Sequence, residues 1–288
     1  MSNETISIPE LSATVISEMV RQGQHTAEDL AQKFLAYAKP LEEELKAFAY
    51  LNDEAVLAQA RLLDKGRARG GVLGSLAGVP IALKDAIDTF DMPSTFGSAS
   101  LAGRQPNWDA HVAKLLRAQG AVIFGKTTLP AFCLGQPAQT RNPHNPEHTP
   151  GGSSSGSAAA VAAGMVPVAI GTQTGGSVIR PASFCGVIGF KPTRGLISRD
   201  GLQPLCETID QVGVFGRSIE DVALVAQTLI GADDNDPSTQ GVLPRILTDV
   251  AVSAPPFKPK FVFVKTPFWD RMDPDTCDAF EALAECFG

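Results

Sequence analysis

The sequence predicts an α/β fold, a sheet carrying helices on its faces, and three observations predict it. From Val79 onward short apolar runs alternate with amphipathic stretches, the pattern of strands and helices in turn. Ahead of that alternation, residues 1–66 read as helices, which gives a helical layer before the sheet. With 288 residues and 44% hydrophobic content, the chain has the material for a sizeable packed core.

In order along the chain, Ile8, Leu11, Val15 and Met19 recur at helical spacing, and Thr26 with Asp29 resembles a capping box opening a second helix. Asn52 or Asp53 caps a third helix that runs to about Lys65, before the loop GRARGG. VPIALK follows as a strand, DAHVAKLLRAQ as a helix capped by Asp109, AVIFGK as a strand, SSGSAAAVAAG as a helix and VPVAIG as a strand. GVIGF is a strand, SIEDVALVAQTLI a helix capped by Ser218, KFVFVK a strand, and a last helix begins at Asp273 and Pro274. DDNDPSTQ and SAPPFKP, at 233–240 and 253–259, are loops, and no internal repeat is present. One domain over 1–288 is expected, with its core at 76–240 and the segment 241–288 opening a further part.

Composition narrows the function classes. The net charge is −7 and no Lys or Arg cluster is dense enough to follow a phosphate backbone, so no direct nucleic-acid partner is expected. Five cysteines, an odd set without a CxxC pair, suit neither a disulfide framework nor a zinc site. No metal or organic cofactor is implied. The opening MSNETISIPELSA has no basic flank and apolar core of a secretory leader, and AAAVAAGMVPVAI at 158–170 is too short to span a bilayer. The expectation is a cytoplasmic protein with no membrane partner, for which a homodimer is allowed.

Two loops carry the chemical signal, GGSSSGS at 151–157 and GTQTGGS at 171–177. Four readings compete. A phosphate-binding loop lacks the lysine that should follow Gly156 and the strand that should lead into it. A G-x-S-x-G elbow on Ser154 needs a preceding strand, which the prolines of RNPHNPEHTP forbid, and a histidine base; His111 lies in an amphipathic helix and His25, His144 and His148 in turns. A purely structural role, letting helix and strand pack closely, is the third. The fourth uses a lysine: Lys84 ends the apolar strand VPIAL, where desolvation disfavours its charged form, unless it is a solvated strand-end lysine or pairs with Asp85 or Asp88.

Taken together, LAGVPIALKDAID, AVIFGKTTLPAF, NPHNP, PGGSSSGSAAAVAAG, GTQTGGSVIRPASFCGVIGFKPTRG and IDQVGVFGRSIEDVA resemble the amidase signature family from about Leu76 to Gln240. The resemblance implies an α/β/α sandwich with a central mixed twisted sheet covered by helices, and an amidase that hydrolyses the C–N bond of a small carboxylic amide. It implies a catalytic lysine at Lys84, a bridging serine at Ser153 following a non-proline cis peptide bond, and a nucleophile at Ser177. The backbone N–H groups of Thr174, Gly175, Gly176 and Ser177 would form the oxyanion hole, where side chains would block the donors. Ser154 and Ser155 would shape the loop. The relay would run from Ser177 through Ser153 to neutral Lys84, so that no histidine is required.

Two departures from the family pattern stand out. Gln173 occupies the place of an aspartate four residues before the nucleophile, and Ile179 that of an arginine two residues after it, with Arg180 one place later. Both members of that ion pair are missing together, which leaves no half-pair as a buried unpaired charge. This favours a general amidase over the family's glutaminase A subunit of the glutamyl-tRNA amidotransferase. The second departure is length: the chain reads as a truncated member, so the alternative is a non-catalytic fragment or subunit needing a missing C-terminal part.

Overall fold

The computed structural model describes residues 7–287, so the opening Met1 to Ile6, which belong to the leader reading, and Gly288 lie outside the described residues. The chain divides into two compact units, Met1–Ala251 and Val252–Gly288.

In the first unit, helix α1 (Ala13–Gln22) starts at Ser12, whose side chain accepts from the Val15 N–H; Ile8 to Glu10 form a separate 3-10 turn. Helix α2 (Ala27–Leu45) is capped by Thr26, which accepts from Asp29 N–H. The Asp29 carboxylate turns to Lys33 and His25, so half of the expected capping box forms. The all-helical reading of residues 1–66 is corrected by strand β1 (Phe48–Tyr50), which pairs antiparallel with β3 (Val122–Thr127). A three-residue strand is too short to leave a period in the sequence, and only its partner defines it. Helix α3 (Asp53–Ala68) follows, capped by Asn52.

Strand β2 (Pro80–Lys84) is buried throughout and lies at the centre, parallel to β3 on one side and to β4 (Val168–Gln173) on the other. Between them run helix α4 (His111–Ala118) and helix α5 (Ser155–Ala162). Asp109 does not cap α4; Ala110 holds the cap position, and the Asp109 carboxylate instead accepts from Phe90 N–H and faces Arg117. Helix α6 (Ile179–Phe184), strand β5 (Ile188–Phe190) and strand β6 (Gln211–Gly216) come next, and helix α7 (Ile219–Leu229) starts at its expected cap, Ser218.

The six strands form one mixed sheet in the order β1-β3-β2-β4-β6-β5. Apolar residues of β2, β3, β4 and β6 meet α1, α2, α5 and α7 in a single core that includes Phe34, Ile81, Leu83, Phe124 and Phe215. Because β2, β3 and β4 are parallel, their carboxyl ends share one edge, with Lys84 opposite Thr127. At such an edge the chain leaves the sheet in loops free to carry side chains for chemistry.

In the second unit, a helix spans Pro274–Phe287, as the Asp273–Pro274 start predicts. KFVFVK at 260–265 is not a strand: none of the described strands pairs with it, and Phe261 to Val264 are exposed. A strand exists by virtue of its ladder, and apolar alternation without a neighbour does not make one.

Candidate active site

Lys84 closes β2 with its side chain fully buried, and its Nζ lies 2.8 Å from Ser153 Oγ and 2.8 Å from Thr172 Oγ1. Neither carboxylate considered as its partner reaches it. Asp85 faces Lys126 at 3.6 Å and accepts from Thr95, while Asp88 binds Arg104 through two contacts of 2.6 Å. Burial pushes Lys84 below the ordinary lysine value, with Cys133 and Asp210 acting in the opposite direction. Lys126, one strand away, is equally buried, and desolvation pushes it down to about 8 against the pull of Asp85. The two lysines differ in partner: Lys84 Nζ meets two hydroxyls, whereas Lys126 Nζ donates to Ser94 Oγ at 2.6 Å and Pro93 O at 3.1 Å and also faces the Asp85 carboxylate.

Ser153 arrives on the 151–157 loop, which is anchored by its serines. Ser154 Oγ donates to Thr172 O at 3.0 Å and accepts from Thr172 N–H at 3.2 Å, while Ser157 Oγ donates to Ile170 O at 3.1 Å. These bonds fasten the loop and the start of α5 to β4. Ser155 Oγ is buried without a hydrogen-bond partner among the described residues. The expected cis peptide before Ser153 is corrected: no cis bond occurs among the described residues. The turn is made instead by Gly151 and Gly152, with φ of 78° and 59°, a region open to glycine at no steric cost. At Gly152 a side chain would also collide with the second loop, since a Cβ would lie 2.5 Å from Pro181 Cδ and 3.3 Å from Ser177 Cα.

Ser177 stands on that second loop, between β4 and α6, and lines a cavity of about 280 Å³ together with Cys133, Gly151, Gly152, Ser153 and Arg180. No hydrogen bond joins Ser153 to Ser177 among the described residues; the two hydroxyls share the cavity without touching. The N–H groups of Thr174, Gly175, Gly176 and Ser177 likewise donate to no protein acceptor among the described residues. Nothing lies within 4 Å of a Cβ placed on Gly175, and Gly176 has φ of 148° with Arg180 Nε 3.0 Å from its Cβ position. Those four N–H groups are thus left free among the described residues, with open space beside Gly175. Gln173 anchors it: its Oε1 accepts from Val178 N–H at 2.8 Å and Ile179 N–H at 3.0 Å, satisfying amides at the start of α6. Arg180 is exposed and forms no ion pair among the described residues.

Three neighbours escape the sequence reading. Thr172 shares Lys84 with Ser153, as the next-to-last residue of β4. Cys133 lines the Ser177 cavity and a second cavity of about 380 Å³, and its backbone, like that of Phe132, has positive φ. Asp210 lines the second cavity, and its Oδ1 accepts from Thr174 Oγ1 at 2.5 Å. Nothing local in the sequence marks either one. Among the described residues no group of three or more His, Cys, Asp or Glu is placed to hold a metal ion, and no helix is long and apolar enough to cross a membrane.

A mixed sheet with a buried amine at its centre and two glycine–serine loops at the ends of its strands defines an α/β protein that presents hydroxyls to a cleft at one sheet edge. The amidase family's sequence profile matches residues 29–286, and the chain belongs to that family. It is 40% identical to the A subunit of the glutamyl-tRNA(Gln) amidotransferase of Gloeobacter violaceus over 293 residues, covering 96% of this chain and 57% of the relative. It is 46% identical to the corresponding protein of Microcystis aeruginosa over 219 residues, covering 74% of this chain and 45% of the relative. Among solved structures, the peptide amidase of Stenotrophomonas maltophilia superposes with a TM-score of 0.79 at 36% identity, covering 85% of this chain and 53% of that one. The chain spans about half the length of the relatives it matches.

Proposed function

We propose that this chain carries the catalytic half of an amidase in which Ser177 forms an acyl-enzyme and Lys84 with Ser153 relays its proton. The observation that carries the reading is the buried Lys84 amine, 2.8 Å from Ser153 Oγ and with no carboxylate in ion-pair contact among the described residues, at a cavity Ser153 shares with Ser177. Such an amine is a base at the pH where chemistry runs. Neutral Lys84 takes the Ser153 proton as Ser153 takes that of Ser177, and the Ser177 oxygen attacks the amide carbon. The oxyanion is met by the free N–H groups of residues 174–177. As the C–N bond breaks, the proton returns through Ser153 to the leaving amine. Water then cleaves the acyl ester and restores Ser177. The substrate is a small carboxylic amide, and a cytoplasmic setting accords with five unpaired cysteines.

A second reading is supported by the two sequence relatives, both A subunits of a glutamyl-tRNA(Gln) amidotransferase: on it, this chain would act on glutamine as part of such an assembly. Gln173 and Ile179, in the places of the family's Asp and Arg, with Arg180 one position later, weigh toward the general amidase. A panel of simple amides against glutamine, with ammonia release as readout, separates the two.

The test is covalent labelling with a fluorophosphonate, read by mass spectrometry, on the parent, Ser177→Ala and Lys84→Ala. One adduct on the parent at Ser177, lost in both variants, is the expected result. A folded parent that takes no label overturns the proposal in favour of a non-catalytic chain that needs a further segment.

A further inference from the structure

The carboxylate of Asp210 lies 36 residues beyond Thr174 of the glycine loop in sequence and yet is bonded to it. Its Oδ1 accepts from Thr174 Oγ1 at 2.5 Å, while its Oδ2 accepts from the N–H groups of Leu205 at 2.7 Å and Cys206 at 2.6 Å. Asp210 is fixed in turn by its own N–H, which donates to Cys206 O at 2.8 Å, and by Gln211, which opens β6 opposite Gln173 of β4. The carboxylate therefore spans two pieces of chain: the donor loop on one side and the 205–210 turn that walls the 380 Å³ cavity on the other.

We propose that Asp210 is a positioning residue for acyl transfer, holding the 174–177 donor run in register with Ser177 through the Thr174 hydroxyl. The inference rests on the reading of Ser177 as nucleophile. Three observations support a role in geometry beyond stability. Thr174 is the first residue of the run whose four N–H groups are left without protein acceptors among the described residues, and its side chain is held by Asp210. An unpaired donor run containing two glycines has no ladder of its own to fix it, so its direction is set by the groups at its ends: Gln173 with Val178 and Ile179 at one, Asp210 with Thr174 at the other. Finally, the bond is charge-assisted, the class of hydrogen bond that is short and directional.

Asp210 has a second, electrostatic consequence at the base. Cys133 and Asp210 act against burial at Lys84, while the neighbouring carboxylates face other partners, Asp85 facing Lys126 and Asp88 facing Arg104. Around Asp210 stand Cys206, Glu207 and Arg199, the last of these held by Asp236. A negative charge at 210 favours the protonated amine and opposes the effect of burial on Lys84. Its removal moves the acid limb of the rate profile, which rises as Lys84 loses its proton, to lower pH. A side chain that only braced the fold would leave that limb in place.

The experiment measures the rate of Ser177 acylation by a fluorophosphonate from pH 6 to 10 on the parent, Asp210→Asn, Thr174→Val and the double variant, with circular dichroism as the folding control. Expected are a roughly tenfold to hundredfold slower acylation in each single variant, less than loss of a whole oxyanion donor. The double variant should be no slower than the worse single, and the acid limb should move down in Asp210→Asn but not in Thr174→Val. Folded Asp210→Asn that acylates at the parental rate overturns the inference. Should Asp210→Asn fail to fold, Thr174→Val decides: a parental rate there overturns it, a slowed rate with a native spectrum supports it. A parent as unreactive as Ser177→Ala overturns the nucleophile reading itself, and this inference falls with it.

Discussion

Replacing Lys84 by methionine separates chemistry from stability at this site. The change keeps an unbranched chain of similar length in a fully buried slot, and removes a side-chain donor that reaches Ser153. Two hydroxyls, Ser153 and Thr172, lose a partner each. A net hydrogen bond is worth about 1 kcal/mol, so about 2 kcal/mol is lost. Against this stands relief of the desolvation that depresses the lysine. The balance keeps Lys84→Met folded, its melting temperature within roughly 8 °C of the parent. Acylation of Ser177 by a fluorophosphonate falls about 10²- to 10⁴-fold, the usual worth of a general base. The pH dependence carries a sign as well. Folding lowers the proton affinity of Lys84 from its ordinary 10.5, so the native chain binds fewer protons than the unfolded chain in the window below that value. Across it this lysine adds stability and speeds acylation as pH rises, and Lys84→Met loses both contributions. A folded Lys84→Met that labels within about threefold of the parent refutes the assignment of Lys84 as base.

Lys126→Met is expected to behave in the opposite way, costing about 3–5 kcal/mol in urea unfolding because Asp85 is left buried without its partner. Gly152→Ala should cost about 1–3 kcal/mol from its φ of 59° and abolish labelling, because the new methyl displaces Pro181 or Ser177; equilibrium unfolding and labelling read the two effects separately. Gln173→Ala strips the acceptor from Val178 and Ile179 and should cost about 0.5–2 kcal/mol, the worth of a helix cap, with Gln173→Glu restoring the parental melting temperature.

How much of this is legible in the sequence depends on how far apart the partners lie. Caps act over three residues, and Thr26, Asn52 and Ser218 are readable as such. Asp109 looks like a cap but binds Phe90 N–H, 19 residues away. The alternating core is readable because β2 and β3 are buried along their whole length, and β4 along most of it, which leaves apolar runs in the chain. KFVFVK shows the limit of that signal, since the apolar alternation is present and the ladder is absent. The bond from Lys84 to Thr172 closes over 88 residues and that from Thr174 to Asp210 over 36, and no local pattern encodes either. For the same reason Cys133 reads as an ordinary thiol until the fold sets it between two cavities.

The central strands also bear on how such a site could be redesigned. Lys84 and Lys126 are set in adjacent parallel strands, with Leu83 rather than Lys84 in register with Lys126. Both are sealed from water, and on the proposed reading one is a reagent and the other a strut. What sets them apart is a carboxylate in contact: Asp85 faces Lys126 at 3.6 Å and does not reach Lys84. The residue that selects the base is therefore an acid that does not line the Ser177 cavity. On that reading, a mutation that re-aimed Asp85 toward Lys84 would slow Ser177 acylation without altering any residue that lines the cavity.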